Sequence, residues 1–228
     1  VESPESFWVI IDNITGSTLN FDYSDNATIT IQDGDNATVS VDNASFSENS
    51  TYATVTFHLS DNISENVTIT YSTLNVSAVA EDDYTGVTKQ LTFPPMQTFL
   101  TDNISITNDS IVEYDETFFV HVDNTSKSNS VFPNFDGVIT IEDDDNTTAN
   151  LYIDVVSYYE LDSVNATRTF QIILDKPVSD NVSISLSSDN TTTQITDFLF
   201  QNKTVIIPAG ATSYTDNFTI IGDGITED

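Results

Sequence analysis

Carboxylates are the most abundant chemical resource of this chain. Its 36 Asp and Glu stand against 5 Lys and Arg, a formal net charge of −31 over 228 residues. Some fall at short spacings, as in Asp109, Glu113 and Glu116 or the run Asp143, Asp144 and Asp145. Hard oxygen donors on converging loops suit calcium, which takes about six to eight oxygens in irregular geometry. The plainer reading, expected for most of these groups, is a solvated and self-repelling acidic surface. The same excess excludes nucleic acid and anionic membrane surfaces as partners, because Lys and Arg are needed to neutralise phosphates. No apolar stretch approaches the ~18 residues of a membrane helix, so no direct membrane insertion is expected in this segment.

Other chemistry is poorly represented. The two histidines, His58 and His121, each alternate outward from an apolar strand pattern. Cysteine is absent, which removes disulfides, thiolate metal sites and a cysteine nucleophile. There is no phosphate-binding Gly loop, zinc-protease motif or nucleophile elbow, and five cations leave little for oxyanion stabilisation. Paired carboxylates alone do not make a glycosidase without a cleft. The expectation is a protein that is not an enzyme.

A second resource is asparagine. Of 21 Asn, 17 begin an N-x-[ST] sequon, where about five would do so by chance. They are Asn13, Asn26, Asn36, Asn43, Asn49, Asn62, Asn66, Asn75, Asn103, Asn108, Asn124, Asn146, Asn165, Asn181, Asn190, Asn202 and Asn217. In NVTITY (66–71) Val67, Ile69 and Tyr71 alternate as a buried face, which puts Asn66 and Thr68 on the outer one. NISIT (103–107) and NVSISL (181–186) read the same way. The excess predicts N-linked glycans and an extracellular or cell-surface, secreted protein, against the alternative of an Asn- and Thr-rich strand surface. The opening VESPESFWV has no signal-peptide character, so the chain reads as a mature product or a segment of something longer. Several sequons follow an Asp (Asp61, Asp102, Asp180, Asp216), for which the sequence offers no reason.

The elements that position these groups are strands. Val, Ile, Thr, Phe and Tyr alternate in short runs split by Asp, Asn, Ser and Gly, which predicts an all-β sandwich. The runs also repeat. Residues 36–113 match 148–227, pairing Asp83 with Asp197, Asp109 with Asp223 and Glu113 with Glu227, each 114 residues apart, and Glu48 with Glu160. The first copy continues through YDETFFVHV to GVITIEDDD (137–145); the continuation of the second is matched by the opening of the chain, SFWVII and ATITIQDGD. The expected organisation is a complete domain at 36–147, the early strands of a split domain at 148–228, and at 1–35 the closing strands that complete that domain in a neighbouring copy.

These residues resemble the Calx-beta family: Glu48, Asp83-Tyr84, Asp109…Glu113…Glu116-Thr117-Phe118 and Ile141-Glu142-Asp143-Asp144-Asp145 stand where its pattern does. The resemblance implies tandem immunoglobulin-like Greek-key β-sandwiches. It implies calcium sites at one end of each, on residues matching Glu48, Asp83, Asp109, Glu113, Glu116, Asp143, Asp144 and Asp145, with the carbonyl of Ile111. In the split copy the matching residues are Glu160, Asp197, Asp223, Glu227, Glu5, Asp33 and Asp35. That copy departs from the pattern at Phe198, before Glu5 and at Gly34. The function expected is a structural repeat unit of an extracellular, N-glycosylated, calcium-stabilised filament or stalk, joined to like copies head-to-tail, covalently or by strand addition. The alternatives are a cell-surface adhesion ectodomain and, less favoured, a calcium-sensor regulatory domain.

Overall fold

A computed structural model describes residues 1–16, 25–127, 131–153, 163–189 and 197–222. They form seventeen strands and, among the described residues, no helix. The chain divides into two compact units: Val1–Asn108 with Glu116–Glu142, and Asp109–Asp115 with Asp143–Asp228.

The first unit begins with a two-stranded antiparallel ribbon, β1 (Glu5–Ile10) and β2 (Asn26–Ile31), which among the described residues joins no other sheet. Its first residue is tethered: the Val1 ammonium donates to the Asn62 carbonyl at 2.9 Å, and the Ser64 amide to the Val1 carbonyl at 3.0 Å. The sandwich that follows uses β3 (Ala37–Val41), β4 (Ala44–Ser47), β5 (Tyr52–Leu59), β6 (Val67–Asn75), β7 (Thr88–Phe93), β8 (Phe99–Ser105), β9 (Glu116–Thr125), β10 (Val131–Phe135) and β11 (Gly137–Glu142). One sheet has the order β10-β3-β5-β8, the other β4-β11-β9-β6-β7.

Period-2 alternation drives this packing, since successive side chains of a strand face opposite ways. Val67, Ile69 and Tyr71 are buried as expected, as are Phe57, Leu59, Phe118, Val120, Ile139 and Ile141. Both sheets therefore contribute their inner faces to one core. Two aromatic contacts lock it: Phe57 against Tyr71 at 4.8 Å between centroids, and Tyr84 stacked on Phe118 at 4.0 Å.

The second unit repeats the early part of this plan with β12 (Ala149–Ile153), β13 (Ala166–Leu174), β14 (Val182–Leu186), β15 (Phe198–Leu199), β16 (Lys203–Ile207) and β17 (Ser213–Ile220). Its sheets run β12-β13-β17-β15 and β14-β16. The core is smaller: Phe170, Ile172, Leu174, Val205 and Ile207. β6 lies between β7 and β9, whereas its counterpart β14 pairs, among the described residues, with β16 alone. Val182, Ile184 and Leu186, expected to be buried, are consequently only half-buried.

Candidate metal and glycan sites

In the first unit the candidate ligands cluster around the start of β9. Glu116 opens that strand, three residues after Glu113 in sequence. Asp83 and Glu116 each offer a carboxylate oxygen within 4.8 Å of the other. Oxygens on opposite sides of a calcium ion lie up to about 5 Å apart, twice a usual Ca–O distance, so the spacing fits that ion. Asp83 is held by a tight loop: its Oδ2 accepts from the Val79 amide at 2.6 Å, and its carbonyl from the Thr107 amide at 2.9 Å. The adjacent Tyr84 anchors the loop, with its ring buried and its hydroxyl donating to Asn75 Oδ1 at 2.6 Å. Glu48 is the one buried carboxylate among the described residues, and its amide donates to the Glu142 carbonyl at 2.8 Å.

The remaining ligands of the complete copy belong to the second unit. Asp109 Oδ1 accepts from the Ile111 amide at 2.6 Å, and Val112 forms a bridge with Val178. Asp143 is a hub: its carboxylate takes the Glu113 amide at 3.2 Å and the Asp145 amide at 3.4 Å, and its own amide donates to Asp115. Asp144 is exposed. The Lys176 ammonium donates to Asp145 Oδ1, while Asp145 Oδ2 is buried without a hydrogen-bond partner. Asp145 raises the affinity of Lys176 for its proton, with Asp144 and Asp143 adding to it against desolvation. An acidic run that already holds one cation and buries an unpartnered carboxylate oxygen has the donor chemistry of a hard-cation site.

The split copy is less assembled. Glu5 is exposed at the start of β1, opposite Ile31. Asp33 accepts from the Glu2 and Asp35 amides at 2.5 and 3.0 Å, which, Glu2 foremost, holds its carboxyl below the usual range; Asp35 is exposed. The Asp197 carbonyl accepts from the Ile221 amide at 2.9 Å, repeating the Asp83–Thr107 bond 114 residues on. Glu160, Asp223 and Glu227 lie outside the described residues, as does Asn190.

Every sequon asparagine among the described residues is exposed. In Asn43, Asn75, Asn103, Asn165, Asn181, Asn202 and Asn217 it is Oδ1 that accepts an intramolecular bond, which aims rather than occupies Nδ2, the atom that would carry a sugar.

The structure supplies a reason for two of the aspartates that precede sequons. Asp102 and Asp216 turn to the opposite face from their asparagines. Asp102 accepts from the Tyr71 hydroxyl at 2.6 Å, from Lys89 at 3.1 Å and from the Asn103 amide at 2.8 Å. Burial works against its ionisation, but these donors outweigh it and lower its pKa. Asp216 accepts from Lys203, the Asn217 amide and Tyr214, and Lys203 above all brings its pKa down to about 2. Sequence reasoning missed this anchor, although Lys89 and Lys203 share the 114-residue spacing of Asp102 and Asp216. The remaining lysine, Lys127, pairs with Glu65. The histidines face outward as expected, each against a carboxylate: His58 with Asp42 at 2.9 Å and His121 with Asp136 at 2.7 Å.

Comparison with known proteins follows the same two-copy plan. The Calx-beta domain profile matches twice, over residues 32–145 and 142–228. Among solved structures, the apo-form Calx CBD1 domain is 24% identical, covering 49% of this chain and 100% of its own, with a TM-score of 0.45. CBD12 from CALX1.2 is 18% identical over 80% of this chain and 76% of its own, also at 0.45. The calcium binding domain CBD12 of CALX1.1 is 17% identical over 82% and 76%, at 0.43. No curated protein matches the chain. On the two matches that run in tandem from residue 32 to residue 228, the chain belongs to the Calx-beta domain family.

Proposed function

We propose that this chain is a structural repeat unit of an extracellular, N-glycosylated, calcium-stabilised filament or stalk. The observation that carries the reading is the placement of the sequons: each described one is exposed, in both units, while in the first sandwich the apolar residues that alternate with them, such as Val67, Ile69, Tyr71 and Ile104, are buried. Glycans on those positions would cover the outer faces without disturbing either core. Calcium would be held by Asp83, Glu116 and Glu48 in the first unit, and by Asp143, Asp145 and Glu113 in the second. Bound there, the ion supplies charge neutralisation and a loop-to-loop tie to a domain that has no disulfide.

Intact-mass spectrometry of native material before and after glycosidase treatment tests the first half. The expected result is a mass well above 25.1 kDa that collapses towards it; a bare 25.1 kDa chain overturns the extracellular reading. Melting with calcium and with chelator tests the second. A ligand at a hundredfold excess over its Kd stabilises the folded state by about 2.7 kcal/mol, so identical curves at millimolar calcium would remove the metal.

A further inference from the structure

Among the described residues the ribbon β1–β2 pairs with no other strand. The repeat places Glu5, Phe7, Val9 and Ile11 level with Glu116, Phe118, Val120 and Val122, and Ala27, Ile29 and Ile31 level with Gly137, Ile139 and Ile141. The observed ladders agree residue by residue. β9 and β11 pair Glu116 with Ile141, Phe118 with Ile139 and Val120 with Gly137; β1 and β2 pair Glu5 with Ile31, Phe7 with Ile29 and Val9 with Ala27. Burial does not agree: Phe118 is 0% exposed and Phe7 51%, and Val9, Ile11, Ile29 and Ile31 are all exposed.

The second unit has the complementary deficit. Among the described residues β14 carries a partner on one edge only, where β6 carries β9 on the other. Beside β14 lies an apolar cavity of about 300 Å³ lined by Leu151, Ile153, Phe170, Leu186, Phe198 and Phe218. In the first unit Val55, Tyr71, Tyr84 and Ile104, the counterparts of Phe170, Leu186, Phe198 and Phe218, are all buried.

We infer that β1 and β2 of one copy complete the second sandwich of another copy, β1 adding along the free edge of β14. This deepens the filament reading by naming its joint, and the joint is heterologous and non-closing, the kind that propagates linearly. The β6–β9 register, in which Tyr71 faces Val122, Ser72 faces His121 and Thr73 faces Val120, fixes the pairing. Leu186 meets Ile11 of the second copy, Ser187 meets Ile10 and Ser188 meets Val9. Phe7 then stacks on Phe198 as Phe118 stacks on Tyr84.

The absence of cysteine makes the test clean. Full-length Ile10→Cys is mixed with full-length Ser187→Cys and oxidised; both positions are exposed, and directly opposed antiparallel residues lie within disulfide reach, at about 4.5–5.5 Å between Cα atoms. The expected product is the mixed dimer, formed at least about tenfold faster than with Thr212→Cys, an exposed control away from the joint. Three results overturn the inference: equal rates with both partners; a majority of Ile10–Ile10 links, which would pair ribbon with ribbon; or, in the double variant, a link that forms within one chain independently of concentration. A second reading uses Trp8, the single tryptophan, which lies on β1 and is exposed. Its emission should shift to the blue as concentration rises, and Val9→Asp should abolish the shift; a shift that survives Val9→Asp also overturns the inference. Glycan mass and calcium melts do not depend on this joint, so its failure leaves those readings standing.

Discussion

Phe118→Ala and Phe7→Ala are the same substitution at two repeat-equivalent positions, and they should not cost the same. Phe118 is fully buried and stacks on Tyr84 with ring centroids 4.0 Å apart and planes 14° off parallel. Truncating such a residue removes about 3–5 kcal/mol through lost transfer energy and the cavity left behind. Roughly 0.5–1.5 kcal/mol of that belongs to the aromatic stack. Phe7 is 51% exposed. Half-buried, it loses about half of the 1.5–3 kcal/mol that full burial is worth, or roughly 1 kcal/mol. The assay is urea unfolding of the full chain at high dilution, followed by amide hydrogen exchange of β6 and β9, which report opening of the first sandwich. With a slope near 2 kcal/mol per molar urea, Phe118→Ala should move the midpoint by about 2 M and leave a folded but weakened domain. Phe7→Ala should move that midpoint by no more than about 0.5 M at high dilution and act mainly on concentrated samples. Equal effects in the dilute chain would show that the ribbon is already buried within its own copy, and the packing argument would fail.

Acid should dissolve the Lys203–Asp216 anchor with a defined sign. The carboxyl titrates at about 2 in the folded chain against an ordinary 3.8, so the folded state binds fewer protons there. Its stabilisation is complete above about pH 4 and is lost as pH falls through about 2. Thermal melts between pH 5 and pH 2 should therefore fall less steeply for Asp216→Asn than for the parent; an unchanged slope would assign the acid sensitivity elsewhere. Tyr71→Phe removes the 2.6 Å hydrogen bond to Asp102. It should cost about 1.5–3 kcal/mol, the range for a bond to a charged group, and raise the Asp102 carboxyl, readable by carboxyl-resolved NMR titration.

The alternation of Val67, Ile69 and Tyr71, or of Phe118 and Val120, is legible in the sequence because a strand's period of two sorts side chains without reference to the rest of the fold. The same rule marks Phe7, Val9 and Ile11 as one face wanting burial, but it is silent on which sheet provides it. Asp83 and Glu116 were marked as ligand candidates by their match to the family pattern, and the fold brings a carboxylate oxygen of each within 4.8 Å of the other. The role of Asp102 was not legible, because Tyr71 and Lys89 reach it from other strands, 31 and 13 residues away in sequence. Nor was the pairing of Val112 with Pro177 and Ser179, which ties Asp109–Asp115 into the second compact unit. Backbone bonds of that kind leave no trace in side-chain type.

The paired lysines bear on how long such a chain would persist among proteases. Trypsin-like enzymes recognise a Lys or Arg side chain that can leave the surface and enter a specificity pocket. This chain offers five such residues in 228. Lys89, Lys127, Lys176 and Lys203 are each drawn onto a carboxylate, and Arg168 lies within β13. Lys176 is in addition followed by Pro177. Cleavage at any of them requires a side chain to leave its partner or a strand to leave its sheet, so digestion follows local opening rather than simple encounter. The charge balance that keeps the surface acidic thus also withholds it from one of the commonest protease specificities.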